Sequence, residues 1–157
     1  MNSLPKFLQV FALGTWVGSI IYLSFVVAPG AFATLKDADQ AGAMVGYSLS
    51  RLHFLGLVAG ILYLVLGFFL VRSMKDLLQP AMLGVLLMLV LTAVSQGYVT
   101  SRMHDLRTKM VSVQATPKDD PSRVEFDRLH GMSVKLEVAV LLLGVVSLFF
   151  TVRTPPN

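Results

Sequence analysis

Two short basic motifs carry the residue types that could do chemistry in this sequence. Arg51-Leu52-His53 and Arg128-Leu129-His130 each place an arginine two residues before a histidine, and each opens a long apolar stretch. Imidazole nitrogens bind transition metals and haem iron, and the guanidinium group of arginine binds carboxylates such as haem propionates. If both motifs lie at one mouth of a helical bundle, we expect His53, His130, Arg51 and Arg128 to form a cofactor site.

A single acidic residue, Glu137, falls within one of the apolar stretches. It lies two helical turns beyond His130 on the same helix face, about 10 Å along the axis. An ionised carboxylate in hydrocarbon is costly, so we expect Glu137 to face the bundle interior and to be protonated, paired or bound to a metal. His53, His130 and Glu137 are therefore the predicted metal ligands, with Asp127 expected to orient the His130 ring.

Two faces of the predicted helices bear on these residues. The residues that follow His53 on its helix face lie within about 60° of one stripe, and they are Gly56, Gly60, Leu64 and Gly67. Because most of them are glycine, this face is nearly bare backbone. Such a face suits either tight helix packing or a flat ligand such as porphyrin. On the third apolar stretch, a polar stripe that could partner Glu137 consists of Thr92, Ser95, Gln96 and Thr100.

Less specific interpretations of these residues stay open. Each histidine could be an interfacial side chain bonded to backbone or to a lipid headgroup, or a step in a proton relay. Each arginine could anchor its helix or clamp a lipid phosphate, and Glu137 could form a structural hydrogen bond to the polar stripe. The chain has no cysteine, no phosphate-binding glycine loop, no His-Glu-x-x-His motif and no serine elbow, so no enzyme class is indicated.

Composition places these residues in a membrane protein. Hydrophobic residues make up 55% and charged residues 14% of the 157-residue chain, and the mean hydropathy is +0.71, whereas soluble domains contain roughly 25% charged residues. The net charge of +4 is dispersed between apolar stretches rather than gathered in a stripe, which argues against nucleic-acid binding. Four stretches are long enough to cross a bilayer, at about 7–27, 53–71, 80–100 and 130–152.

The sequence predicts an all-α fold, an integral membrane four-helix bundle with helical extensions beyond the bilayer, as a single transmembrane domain over residues 1–157. Asp120 and Pro121 are typical of a helix start, so one helix should run unbroken from Pro121 through the fourth span. Asp37 should cap a similar extension of the second span. The short segment 72–78 should close spans two and three into an antiparallel hairpin.

The first apolar stretch has a competing explanation. Lys6, the apolar run and Ala31-Phe32-Ala33 together imitate a signal peptide with a small-residue cleavage site. The run is longer than the ~7–15 residues of a signal core, and Gly14 and Gly18 have the spacing that lets helices approach closely. We therefore expect the stretch to be retained as a span.

Charge gives conflicting signals about orientation. The termini and the 72–78 turn share one side and carry four basic residues, whereas the connections on the other side carry eight. Those connections are longer and also hold seven acidic residues against one. The number of basic residues relative to the length of the connections is therefore higher on the side of the termini, which favours cytoplasmic termini.

Four blocks of the sequence together resemble a known family: Phe11-x-x-Gly14-x-Trp16-Val17-Gly18, Val27-Ala28-Pro29, Arg51-Leu52-His53 and the run from Phe126 to Gly131. They resemble bacterial members of the transmembrane protein 205-like family, a domain of unknown function, over nearly the whole chain. That family is distantly similar to CopD-like membrane proteins, which include copper-resistance proteins and a haem-associated protoporphyrinogen oxidase type. The resemblance implies a four-helix bundle in a bacterial inner membrane and makes a metal or haem a plausible ligand. The first span contains no histidine, where the oxidase type would place a haem ligand, which argues against oxidase activity.

The leading functional hypothesis is binding, transfer or export of a transition metal or haem through the predicted His and Glu site. One alternative is a non-catalytic accessory subunit that packs through its glycine faces against other membrane proteins or against copies of itself. Another is a membrane redox enzyme that uses bound haem. The lipid bilayer is the partner that all three hypotheses share.

Overall fold

The computed structural model describes residues 3–70 and 78–153. Within them the fold consists of four long apolar helices: α1 Leu4–Thr34, α2 Ala38–Leu70, α3 Pro80–Met110 and α4 Pro121–Arg153. The described residues contain no strand, so the predicted all-α membrane bundle is confirmed. The predicted turn at 72–78 falls almost entirely on residues 71–77, which lie outside the described residues.

Both predicted helix starts are confirmed. The Asp39 N–H donates to the Asp37 side chain at 2.8 Å, and the Ser122 N–H donates to the Asp120 side chain at 2.8 Å. From there α4 runs unbroken over 33 residues, about 50 Å at about 1.5 Å per residue. A hydrocarbon core is only about 30 Å thick, so the helix extends beyond the bilayer.

The four helices form a ring in which each packs against its neighbours in sequence and α4 closes the ring against α1. α2 and α4 therefore lie across the diagonal. Side-chain hydrogen bonds cross it from His53 to Glu137 and from Tyr63 to Thr151. Because His53 precedes Tyr63 and Glu137 precedes Thr151, the two helices run in the same direction, as alternating spans require.

An aromatic side chain of α1 fills the glycine face of α2. A Cβ atom added at Gly56 would overlap the Trp16 ring, and one added at Gly60 would lie 2.8 Å from it. Trp16 is fully buried, so only glycine allows the helices this close an approach. Of the two roles predicted for this face, the structure shows tight helix packing.

The glycine pair of α1 does not make the close contact that its spacing predicts. A Cβ atom at Gly14 or Gly18 would meet nothing within 4 Å. α1 packs instead through Leu13, Trp16 and Ile20, which are at most 1% exposed. The spacing therefore identifies the wrong face of α1.

The outer surface of the bundle is apolar. Large side chains such as Phe25, Phe54 and Phe69 are 71%, 67% and 77% exposed. In water such a surface would drive aggregation, whereas lipid tails solvate it. The chain is therefore a multi-pass integral membrane protein.

A second, smaller core lies toward the long connections, beyond the bundle core. Its buried members come from α3, α4 and the segment between them, and they are Val99, Leu106, Val113, Phe126 and Leu129. Ser112 Oγ and the Val113 N–H donate hydrogen bonds to Asp39 at 2.6 Å and 3.0 Å, in the part of α2 that precedes the apolar stretch. The Ser112 hydroxyl above all holds the pKa of Asp39 below its usual value.

The connection from α3 to α4 begins with a strained turn. Val111 has φ 63° and ψ −51°, and the Ser112 N–H donates to the Met110 carbonyl oxygen at 2.6 Å. These features define the rarer, strained form of the γ-turn, which is costly for a β-branched residue. The turn brings Ser112 to Asp39.

Gly56→Ala should destabilise the bundle by about 1–3 kcal/mol, because the new methyl group would overpack an interface already filled by Trp16. Thermal unfolding in detergent micelles would measure the change. Gly46→Ala on the same helix is the matched control. Its Cβ atom would meet nothing within 4 Å, so it should be neutral or slightly stabilising. Equal losses from the two substitutions would contradict the close Trp16 contact.

Val111→Gly should stabilise the chain by about 1 kcal/mol, since glycine adopts a positive φ without the steric cost that valine bears. Chemical unfolding of the purified protein would measure the gain. Val111 is 89% exposed, so the substitution removes no buried contact. Val111→Ala keeps the Cβ atom and should give no comparable gain; an equal gain from alanine would show that the turn is not strained.

Candidate functional site

His53, which is fully buried in α2, is the centre of the site. Its Nδ1 atom lies 2.9 Å from Oε1 of Gln96 on α3, and its Nε2 atom lies 2.5 Å from Oε1 of Glu137 on α4. Both ring nitrogens are engaged, as a buried imidazole requires to replace its lost contacts with water. One side chain thus joins three helices.

The hydrogen bonds determine how many protons His53 and Glu137 hold together. The carboxamide oxygen of Gln96 can only accept, so Nδ1 of His53 donates to it. The bond between His53 and Glu137 then contains one proton: either a protonated Glu137 donates to Nε2, or a protonated imidazole donates to the carboxylate. Neither form has a net charge, which limits the cost of burying the pair.

Gln96 is itself held in place. Its Nε2 atom donates to Ser50 Oγ at 3.0 Å, one turn before His53 on α2. Gln96 lies in the π-helical turn Ser95–Thr100, which shifts its side chain away from the regular α-helical register. The polar stripe, which could partner Glu137 by sequence, supplies Gln96 to His53 in the structure.

The sequence contains a signal for each of these two supporting residues. Ser50 precedes His53 by three residues, which places both side chains on one face of α2. Gln96 is an amide within a long apolar stretch, and such groups bond across helices in a membrane. The π-helical turn that directs Gln96 to His53 leaves no comparable signal.

Glu137 faces the bundle interior with a partner, as predicted. Its side chain is 15% exposed, whereas that of His53 is 1% exposed, so the carboxyl group is the more accessible half of the pair. An unpaired ionised carboxylate would be costly at this position in the apolar part of α4. The contact with His53 removes that cost.

The second motif does not join the first. His130 and Arg128 are both exposed on α4. His53 contacts Glu137, seven residues beyond His130, so the two histidines are offset by about 10 Å along the bundle. The expectation that both imidazoles lie at one depth is therefore wrong, because α2 and α4 are shifted by two turns relative to each other.

The predicted metal ligands are only partly brought together. Asp127 forms an ion pair with Arg123 at 3.0 Å rather than orienting the His130 ring. Within residues 3–70 and 78–153, no group of three or more His, Cys, Asp or Glu side chains could hold a metal. His53 and Glu137 meet without His130, and a metal site on these residues stays a prediction.

The arrangement does not fit a bound haem. An axial histidine needs a free ring nitrogen for iron, and both nitrogens of His53 are engaged. The glycine surface beside His53, which would suit a porphyrin, is covered by Trp16.

Arg51 lies on an open cleft beside the buried pair. Its guanidinium group stands 5.0 Å from the centre of the Tyr47 ring. The cleft has a volume of about 240 Å³ and is lined by Ser50, Arg51, Phe54, Leu57 and Gln96. Gln96 lines the cleft and also bonds to His53, and Ser50, which lines the cleft as well, accepts a hydrogen bond from Gln96, so the cleft adjoins the pair.

Residues 11–112 match a family model described as "Domain of unknown function (DUF4149)". This range takes in His53 and Gln96, while Glu137 on α4 lies beyond it. Neither the comparison with curated proteins nor that with solved structures gives a match.

The contact between His53 and Glu137 should appear as a coupling energy in a double-mutant cycle. Alanine at either position leaves the other side chain buried without its partner. The summed losses of unfolding free energy in the two single variants should therefore exceed the loss in the double variant by about 1–3 kcal/mol. Unfolding in detergent at neutral pH would measure them. Arg102 and Glu125 form a more exposed ion pair, serve as the matched control cycle and should couple less strongly. Fully additive losses at His53 and Glu137 would argue against the contact.

Proposed function

The chain belongs to the DUF4149 family, described as a domain of unknown function, and we propose that it is a proton-coupled binding protein of the membrane. The pair of His53 and Glu137 takes up or releases one proton when a ligand binds beside it, without covalent chemistry on a substrate. The observation that carries this proposal is the 2.5 Å hydrogen bond between His53 Nε2 and Glu137 Oε1 in the apolar part of the bundle.

The proposal follows from the charge states open to the pair. Adding a second proton would leave the pair positively charged, and removing the shared proton would leave it negatively charged. Either charge is unfavourable in apolar surroundings unless a nearby opposite charge offsets it. A bound ion therefore changes the proton affinity of the pair, and the proton changes the affinity for that ion by the same factor.

Access to the pair differs between its two sides. Glu137 is partly exposed, so it can exchange protons with the side of the long connections. On the other side, Val17 and Met88 pack closely against Gly144 of α4. This packing supports exchange with one side of the membrane rather than a continuous path across it.

A transition metal at the same pair is the alternative ligand, whereas haem does not fit His53, whose two ring nitrogens are both engaged. Imidazole and carboxylate are both metal ligands, but a metal needs further donors, and no group of three or more suitable side chains occurs in the part of the chain that the structure describes. Two donor atoms suffice to hold a proton. The relationship to transmembrane protein 205-like and CopD-like proteins, which suggested the metal and haem ligands, stays a prediction.

The accessory-subunit alternative relies on glycine faces that are free to meet a partner. Gly56, Gly60 and Gly144 lie against side chains of the same chain, whereas Gly14 and Gly18 on α1 meet nothing within 4 Å and leave that face open. A bacterial inner membrane with cytoplasmic termini remains part of the proposal. In that orientation the long connections and the accessible carboxyl group of Glu137 face away from the cytoplasm.

Glu137→Gln should abolish one titration step of the protein in lipid nanodiscs. Infrared spectra recorded over a pH series should show a step in the carboxylic-acid band of the unmodified protein that is absent from the variant, beside the changes from the other carboxyl groups that both share. Glutamine keeps the size of the side chain and still donates to Nε2 of His53, so the bundle should fold. The measurement reports the proton on Glu137 directly.

Glu125→Gln is the matched control on the same helix. Glu125 pairs with Arg102 outside the apolar span, and its loss should leave the carboxylic-acid step intact. The proposal is overturned if Glu137→Gln has the same spectra as the unmodified protein, or if no step occurs at any pH at which the protein stays folded.

A further inference from the structure

The cleft beside Arg51 has a polar inner wall and an apolar outer wall. Ser50 and Gln96 form the inner wall, and Arg51 contributes a positive charge. Phe54 and Leu57 follow on α2, one and two turns deeper toward the apolar centre of the helix, and Phe54 is 67% exposed. The cleft therefore joins a positive, hydrogen-bonding end to an apolar flank on the lipid-facing surface.

The charge of Arg51 is not used within the described part of the chain. Arg102 and Arg123 form ion pairs with carboxylates, whereas the structure gives Arg51 no acidic partner among residues 3–70 and 78–153. Its guanidinium group lies over the Tyr47 ring instead. An anion that enters the cleft would meet an unneutralised charge.

We propose that this cleft binds an anionic membrane lipid, whose phosphate is held by Arg51, Ser50 and Gln96 and whose chains lie along Phe54 and Leu57. A soluble anion would use the polar wall but leave the apolar flank uncovered. A lipid matches both walls, since its headgroup and chains have the same order along the membrane normal as the lining of the cleft. The proposal rests on the proton-coupled function and names its ligand.

Gln96 connects the lipid site to the buried pair. Its amide group donates to Ser50 and accepts from His53, so a phosphate that bonds to Gln96 or Ser50 acts one side chain away from the imidazole. A negative charge at that distance favours the additional proton on His53 and Glu137. By reciprocity, the protonated pair binds the anionic lipid more tightly.

Few other charges act on the pair. The nearest titratable or charged residues on its helices are Tyr47 and Arg51 on α2, Tyr98 and Arg102 on α3, and His130 and Lys135 on α4. Arg102 is paired with Glu125, and α1 places the uncharged Trp16 next to the site. An anion at Arg51 is therefore the change in charge that most directly affects the pair.

The test uses the full chain in phosphatidylcholine nanodiscs, to which a fluorescent phosphatidylglycerol is titrated. Arg51→Gln should weaken phosphatidylglycerol binding by about 10- to 100-fold, since it removes a charge-assisted hydrogen bond to phosphate. Arg128→Gln, the exposed arginine of the second motif, is the matched control and should bind as the unmodified protein does. Inorganic phosphate should not displace the lipid.

Two further arms separate the lipid site from the proton site. Binding of phosphatidylglycerol should tighten as the pH falls, and Glu137→Gln should change this pH dependence while the lipid still binds. Equal losses in Arg51→Gln and Arg128→Gln, displacement by inorganic phosphate, or a pH dependence that is the same in Glu137→Gln as in the unmodified protein would each overturn the lipid proposal. The infrared step of Glu137 is measured without added anionic lipid. Its outcome therefore tests the proton-coupled function independently of the lipid proposal.

Discussion

The hydrogen bond between His53 and Glu137 crosses the centre of the bundle, and the surrounding structure is arranged around it. α2 and α4 are not neighbours in the ring of helices, so the contact needs one long side chain from each. Lipid offers no hydrogen-bond partners, and each of these groups would be costly alone. A single contact therefore satisfies both groups and ties the diagonal helices together. Gln96 adds α3 to this contact, and Trp16 of α1 closes the adjacent glycine face.

Features that depend on local chemistry could be predicted from the sequence. The length of each apolar stretch follows from the thickness of the bilayer, and Asp37 and Asp120 mark helix starts because a carboxylate accepts free N–H groups there. Glu137 turns inward because of the cost of facing lipid. The shift between α2 and α4 is not local. His53 and His130 stand in equivalent motifs, yet packing places His53 two turns deeper. The residue types near the two histidines do not indicate that shift.

Two details of the site depend on contacts that a single sequence does not encode. The π-helical turn Ser95–Thr100 redirects Gln96, and nothing in its sequence distinguishes it from regular helix. The glycine face of α2 needs a flat group against bare backbone, and the sequence leaves open which group that is. The indole of Trp16 meets this need in the same way that a porphyrin would. The sequence therefore indicates a face for close contact with a helix or a flat ligand, and the structure identifies Trp16 as its occupant.

The two diagonal contacts differ in chemistry, which restricts where the bundle can respond to protons. Thr151 donates its hydroxyl proton to the Ser147 carbonyl oxygen at 2.7 Å, so Tyr63 must donate to Thr151 in their 2.6 Å contact. Hydroxyl groups stay uncharged near neutral pH, so this contact does not depend on the uptake or release of a proton. The contact between His53 and Glu137 is made by two ionisable groups. Of the two diagonal contacts, only the one beside the cleft can therefore carry the proton coupling that we propose.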